Sequence, residues 1–190
     1  TLDLSNPIFP EKAVSSDEIL KIIGNPNQKL IGIAPFAQYE SKVYPLDLMQ
    51  EVISKLAVNQ EQTILLFGGG KKETELLDAI AKPFGNVINV AGKIKFTQEL
   101  QLISNLDVML SMDSGNAHIA AMLGVKVITL WGATHPYAGF SPFNQPIENA
   151  LVADRNLFPK LPTSVYGNKK VEGYEDAMRT ILPEEVVAKF

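Results

Sequence analysis

The chain contains no cysteine and only two histidines among its 190 residues. That excludes disulfides and thiolate metal sites, and it leaves too few imidazoles for a histidine cluster, because His118 and His135 form no His-x-x-x-His pair. Lack of cysteine also fits a reducing compartment. No apolar run approaches the roughly 18 residues of a membrane span, so no integral membrane segment is expected. Basic runs are missing too. The longest are the pairs Lys71–Lys72 and Lys169–Lys170, and the net charge is −4, which argues against nucleic acid as the main partner. The opening segment TLDLSNPIFPEKA lacks a basic stretch followed by an apolar one, so no signal peptide is expected, and it lacks an initiator methionine.

What is present is ordinary globular material, 46% hydrophobic and 20% charged, enough for one well-buried core. Five runs read as buried strands: LIGIAPF (30–36), TILLFGG (63–69), VINVAG (87–92), DVMLSMD (107–113) and VKVITLWG (125–132). They are nearly continuous in Val, Ile and Leu instead of alternating, as strands covered on both faces are. Helical patterns separate them, in YPLDLMQEVISKLAV, KKETELLDAIAKPF, FTQELQLISNL and GNAHIAAMLG. Strand and helix therefore alternate, which predicts an α/β fold, a Rossmann-like three-layer parallel sheet with right-handed crossovers. A short run, ALVAD (150–154), is expected to extend the edge.

Three regions follow from this order. Residues 1–29 form an N-terminal extension with a serine-capped helix in SSDEILKIIG, residues 30–154 form the Rossmann-like domain, and residues 155–190 form an irregular segment with a C-terminal helix of the same domain. From 135 to 174 the chain is rich in Pro, Asn, Gly and aromatics and reads as a functional or partner-facing stretch.

In an open parallel sheet, ligands bind beyond the carboxyl ends of the strands where strand order reverses, commonly between the first and fourth. This places PFAQYESK beside SMDSGNAH. A helix starting at or just past Ser114 leaves the N–H groups of Gly115, Asn116 and Ala117 without helical partners and aims the positive end of its dipole at the cleft, an arrangement that suits a diphosphate. Gly115 permits close approach, Ser114 can cap the helix or donate its hydroxyl, and His118 follows Ser114 by one turn on the same face. A serine nucleophile fits poorly, since the elbow motif wants glycine where Met112 stands. The bland alternative is a helix cap beside a structural histidine.

FGGGKKE (67–73) also joins strand to helix but matches neither the Walker loop nor the dinucleotide fingerprint, Glu73 standing where the third glycine belongs. Its glycines allow a tight turn against a base or ribose, with Glu73 or Lys72 in hydrogen-bonding reach; a flexible turn with no ligand is the other reading. Lys42 follows the first strand and reads either as a solvated charge or, at the cleft edge opposite a helix N-terminus, as a phosphate partner. Lys42→Ala is then expected to weaken diphosphate binding by roughly 1–3 kcal/mol with little effect on folding. LWGATHPYAGF puts Gly132, Thr134 and His135 on another loop facing this cleft.

Taken together, IGIAPFAQYESKVYP, ILLFGGGKKE and the long stretch from VAGKIKFTQEL through LSMDSGNAHIAAMLG to LWGATHPYAGF resemble, in order and spacing, the C-terminal half of glycosyltransferase family 9, the ADP-heptose:lipopolysaccharide heptosyltransferases and their relatives. The Asp-(Ser/Thr)-Gly-x-x-His motif before an alanine-rich helix and the following Gly-x-Thr-x-Pro are its most specific marks. The resemblance implies one half of a GT-B fold, in which two Rossmann-like domains face across a cleft. It implies that Asp113, Ser114, Gly115 and His118 contact the diphosphate and sugar, and that Lys42 pairs with phosphate. Gln38, beside Ala37 where relatives carry hydroxyls, would line the same loop, while Gly69, Glu73, Gly92 and Ile94 would hold ribose and base. No cofactor and no metal are implied, the substrate being an ADP-sugar or similar nucleotide sugar.

The family's acceptor domain and its catalytic acid have no counterpart in these residues, so Thr1 looks like the start of an excised C-terminal domain. The catalytic residue is then unknown here, the base being expected in that other domain, which would also receive the lipopolysaccharide-type glycan acceptor. The expected setting is the cytoplasm, with a peripheral place at a bacterial inner membrane. Two alternatives remain from the residues, a non-catalytic nucleotide-binding module and a sugar-nucleotide 2-epimerase relative.

Overall fold

Apolar strands that must be covered on both faces, separated by helices with one apolar stripe each, have few ways to pack, and the chain takes the three-layer one. In the computed structural model, which describes residues 7–25 and 27–190, the strands are β1 (Lys29–Ala34), β2 (Gln62–Leu66), β3 (Val87–Asn89), β4 (Val108–Met112), β5 (Lys126–Trp131) and β6 (Ala150–Val152). They lie in the order β3-β2-β1-β4-β5-β6 with every pairing parallel. The order reverses between β1 and β4, where Ile33 stands opposite Leu110 and Ala34 opposite Ser111. The expected fold class and the edge strand are both found.

Among the described residues six α-helices cover the sheet: α1 (Asp17–Ile23), α2 (Leu46–Ala57), α3 (Gly70–Ala81), α4 (Phe96–Ser104), α5 (Gly115–Met122) and α6 (Pro183–Val187). Side chains that alternate along the strands feed two cores. Ile31 and Ile33 of β1, Leu110 of β4 and Ile128 of β5 meet Val52 and Ile53 of α2, Leu77 of α3 and Val186 of α6 on one face. Leu30, Met109 and Val127 meet Ile19, Leu102, Ile103 and Ala120 on the other. Burying each large aliphatic chain contributes about 1.5–3 kcal/mol, so this double layer dominates the stability.

The serine-capped first helix is present: Ser16 accepts from the Ile19 N–H, and Ile19 and Ile23 are buried in the second core. One feature differs from the sequence reading. The C-terminal helical pattern splits into a 3-10 turn, Ala177–Thr180, and the short α6. Pro183 causes the split, because the residue before a proline is driven from helical angles, and Leu182 is extended at φ −80° and ψ 144°. The interrupted segment is nevertheless tied down. The Tyr44 hydroxyl donates to the Ile181 carbonyl at 2.7 Å, and Arg179 grips both oxygens of Asp47 at 2.8 and 3.1 Å, which holds that carboxyl below its usual range. The stretch 135–174 is irregular but packed: it holds β6, and Leu161, Phe158 and Tyr174 gather with Ala153 and Ala177 in a small cluster of their own.

Candidate functional site

Leaving β4, the chain turns through Asp113 and Ser114 into α5. Ser114 has extended backbone angles, φ −151° and ψ 171°, in the N-cap position, yet its side chain caps nothing. Its hydroxyl lies 3.0 Å from that of Ser111, which in turn donates to the Met112 carbonyl. Of the two roles open to Ser114, helix capping is therefore not the one taken. The first N–H groups of α5 are left without a side-chain partner at the positive end of its dipole. Small residues explain why they sit at the sheet edge: Ala117, Ala120 and Ala121 are all buried, so the helix lies close against β4 and β5.

Ser114, Gly115 and Asn116 line an open cleft of about 320 Å³ together with Phe36, Ala37 and Gln38 after β1, Gly68, Gly69 and Glu73 after β2, and Glu99 of α4. Sequence-selected residues from three loops thus converge. Others do not. Gly92 and Ile94 are not among the residues lining this cleft, Ile94 being half-buried against the second core, and His118 is half-buried and outside the lining as well. Glu73 turns back on its own helix start, accepting from the Gly69 N–H at 2.7 Å.

Asp113 and Lys42 make the strongest polar contact of the region. Lys42 Nζ lies 2.9 Å from Asp113 Oδ2, with side chains only 13% and 6% exposed. The Thr134 hydroxyl donates to the same oxygen at 2.8 Å. Charge-assisted hydrogen bonds to one carboxylate oxygen thereby join the loops after β1, β4 and β5. The expectation that losing Lys42 has little effect on folding is corrected: it is the counterion of a buried acid.

Glycines make the close approach possible. A methyl at Gly132 would come within 2.8 Å of the Ser41 carbonyl, and one at Gly167, where φ is +76°, within 2.6 Å of the Lys42 stem. Ser41 is held in place by accepting from the Ala133 N–H at 3.1 Å and by donating its hydroxyl to the Gly167 carbonyl at 2.5 Å.

Sequence reasoning missed Glu99. Its carboxyl is half-buried and pushed upward by desolvation. The folded state thus holds its proton more tightly than the unfolded chain does, so this group lowers stability as pH rises from the ordinary glutamate value through the raised one. Glu99→Gln should flatten that decline and raise the denaturant midpoint at pH 7 slightly, water on the open side screening the effect. Equal midpoints for both proteins from pH 4 to pH 8 would contradict it. No group of three His, Cys, Asp or Glu placed to hold an ion occurs among the described residues. Nor is any helix among them long and apolar enough to cross a membrane.

Comparison with known proteins finds the model of glycosyltransferase family 9 (heptosyltransferase) matching residues 6–169. The chain is 27% identical over 165 residues to lipooligosaccharide heptosyltransferase 2 of Haemophilus influenzae, covering 84% of this chain and 46% of that protein. Among solved structures it is similar to the ADP-heptose lipopolysaccharide heptosyltransferase II of E. coli, with a TM-score of 0.64, 24% identity, and coverage of 86% of this chain and 45% of that one. A second is the E. coli heptosyltransferase WaaC with ADP, with a TM-score of 0.61, 19% identity, and coverage of 87% and 47%. The chain spans about half the length of the proteins it matches.

Proposed function

The chain belongs to glycosyltransferase family 9, and from that premise we propose that it holds the nucleoside diphosphate of a nucleotide-sugar donor, ADP-heptose or a close relative, for transfer to a lipopolysaccharide-type acceptor. The observation that carries this reading is the uncapped start of α5, opening into a cleft at the point where strand order reverses. Its N–H groups are fixed donors for a diphosphate, and they need no rearrangement as negative charge develops on the leaving group. The names of the matched relatives supply the sugar, and the ADP of one solved neighbour supports adenine as the base. Membership of this family disfavours the epimerase reading.

Within the proposed reaction, Lys42, already paired with Asp113, would offer its remaining N–H bonds to the diphosphate. Asp113, itself held by the Thr134 hydroxyl, holds the lysine in place before the donor arrives. Gln38 and the Gly69–Glu73 turn receive the ribose. Asp113 is engaged by Lys42 and Thr134 and Glu73 by the Gly69 N–H, so neither is free to deprotonate the acceptor, and the proposal places that base outside these residues.

Titration with ADP, followed by amide chemical shifts, tests the reading. Gly115, Asn116 and Ala117 should move most, with Lys42 and Gln38 next. Shifts confined to the amino edge of the sheet, around Gln28 and Asn105, would refute it.

A further inference from the structure

Three carboxyl groups stand around the donor position, and two of them are already satisfied. Asp113 is bound by Lys42 and by the Thr134 hydroxyl, and Glu73 accepts from the Gly69 N–H. Glu99 is the exception. It is half-buried in the cleft that the start of α5 also lines, and burial alone acts on its carboxyl, with neither a cation nor a hydrogen-bond donor among the described residues to favour the charged form. Packing explains its place. Leu102 and Ile103 of α4 share the second core with Ala117, Ala120 and Ala121 of α5, so Glu99 in the first turn of α4 opens on the same cleft as Gly115 and Asn116 in the first turn of α5.

The elements around Glu99 supply no charge that offsets its own. Gly115 and Asn116 of α5 and Gln38 after β1 are uncharged, the turn after β2 adds a second acid in Glu73, and His118 of α5 lies outside the lining. Before α4, Lys93 is engaged by Asp78 and Lys95 is exposed. From α1 comes another acid, Glu18, which accepts from the Gln98 side chain. A diphosphate carried to the α5 N–H groups therefore brings its negative charge into a cleft whose one unpaired ionisable group is itself an acid. Like charges repel strongly where water is partly excluded, and a proton on the carboxyl relieves the repulsion. Water on the open side reduces the effect without removing it.

We propose that the cleft accepts its diphosphate with Glu99 in the neutral form, so that donor binding takes up a proton at this side chain and Glu99 sets the pH range in which the donor is held. This rests on the donor reading for the identity of the ligand. At low pH the carboxyl is neutral before and after binding and opposes nothing; as pH rises and the free carboxyl ionises, binding must first restore its proton, and affinity falls. The experiment titrates ADP calorimetrically into the parent chain, Glu99→Gln and Glu99→Leu from pH 5 to pH 8, in two buffers of different ionisation enthalpy, so that proton uptake is read directly. The terminal phosphate has an ionisation of its own at about pH 6, which is common to the three proteins and cancels in their ratios. Both variants should bind ADP as the parent does at pH 5 and about tenfold more tightly than the parent at pH 8, with less proton uptake. Added salt should shrink the ratio at pH 8 by screening the repulsion. The proposal is overturned by ratios that stay constant across this range, by equal proton uptake in parent and variants, or by a ratio at pH 8 that salt leaves unchanged. Absence of ADP binding in all three proteins at every pH would instead sink the donor reading, so the two failures are distinct.

Discussion

Lys42→Ala will destabilise the protein by about 3–5 kcal/mol, because it strands the buried Asp113 carboxylate without its cation. Only the Thr134 hydroxyl remains to solvate that oxygen. In a domain of this size such a loss lowers the melting temperature on the order of 10 °C. Donor binding should fall as well, by roughly 1–3 kcal/mol, the range for a hydrogen bond to a charged group. The double variant Lys42→Met with Asp113→Asn separates the two effects. It removes both charges, so it should recover much of the stability, but none of the ADP affinity. Chemical denaturation and calorimetric titration on the parent, Lys42→Met, Asp113→Asn and the double variant provide the cycle. A Lys42→Ala protein as stable as the parent would show that Asp113 is not dependent on the pair.

The second large effect is expected at Gly132. The added methyl of Gly132→Ala meets the side chain of Met178, which can move, and the Ser41 carbonyl at 2.8 Å, which cannot move without carrying Lys42 along. Overpacking of this kind costs about 1–3 kcal/mol. Displacement of Lys42 should further reduce ADP affinity by about tenfold, equivalent to about 1.4 kcal/mol. Gly115→Ala is the informative contrast. No atom lies within 4 Å of the place its methyl would take, so the fold should tolerate it, while the methyl crowds a ligand approaching the start of α5. Loss of stability at Gly132 and loss of binding alone at Gly115 is the expected pattern. Equal melting temperatures for Gly132→Ala and the parent would refute the packing argument.

Much of this architecture was legible in the sequence, for reasons that differ by element. The strands were readable because each is a short Val, Ile and Leu run, and the reversal of order between β1 and β4 follows from how alternating strands and helices wind. The convergence of Gln38, Glu73, Ser114 and Gly115 then follows from their places at carboxyl ends. What was hidden depends on contacts between distant segments. Nothing in QYESK says that Lys42 is buried, since its burial is imposed by Gly167, well over a hundred residues later. Nothing in FTQELQLISNL marks Glu99 as buried. Its burial depends on how α4 packs beside α5. The split C-terminal helix was signalled by Pro183, a cue outweighed by the helical spacing around it.

The strand order also bears on how the chain reaches this state. β4, α5 and β5 are consecutive and can pair early, as can β1, α2 and β2. The central seam is different: Leu30 donates its N–H to the Asp107 carboxylate across 77 positions, and closing so large a loop pays its entropy before any contact rewards it. The two halves should therefore each condense before they join. Until they do, β1 and β4 are open edges able to pair with other chains. Lys42 belongs to one half and Asp113 to the other, so the ion pair is formed at the last joining step. Ligand binding in a refolding experiment should thus appear later than secondary structure, with the rate of seam closure.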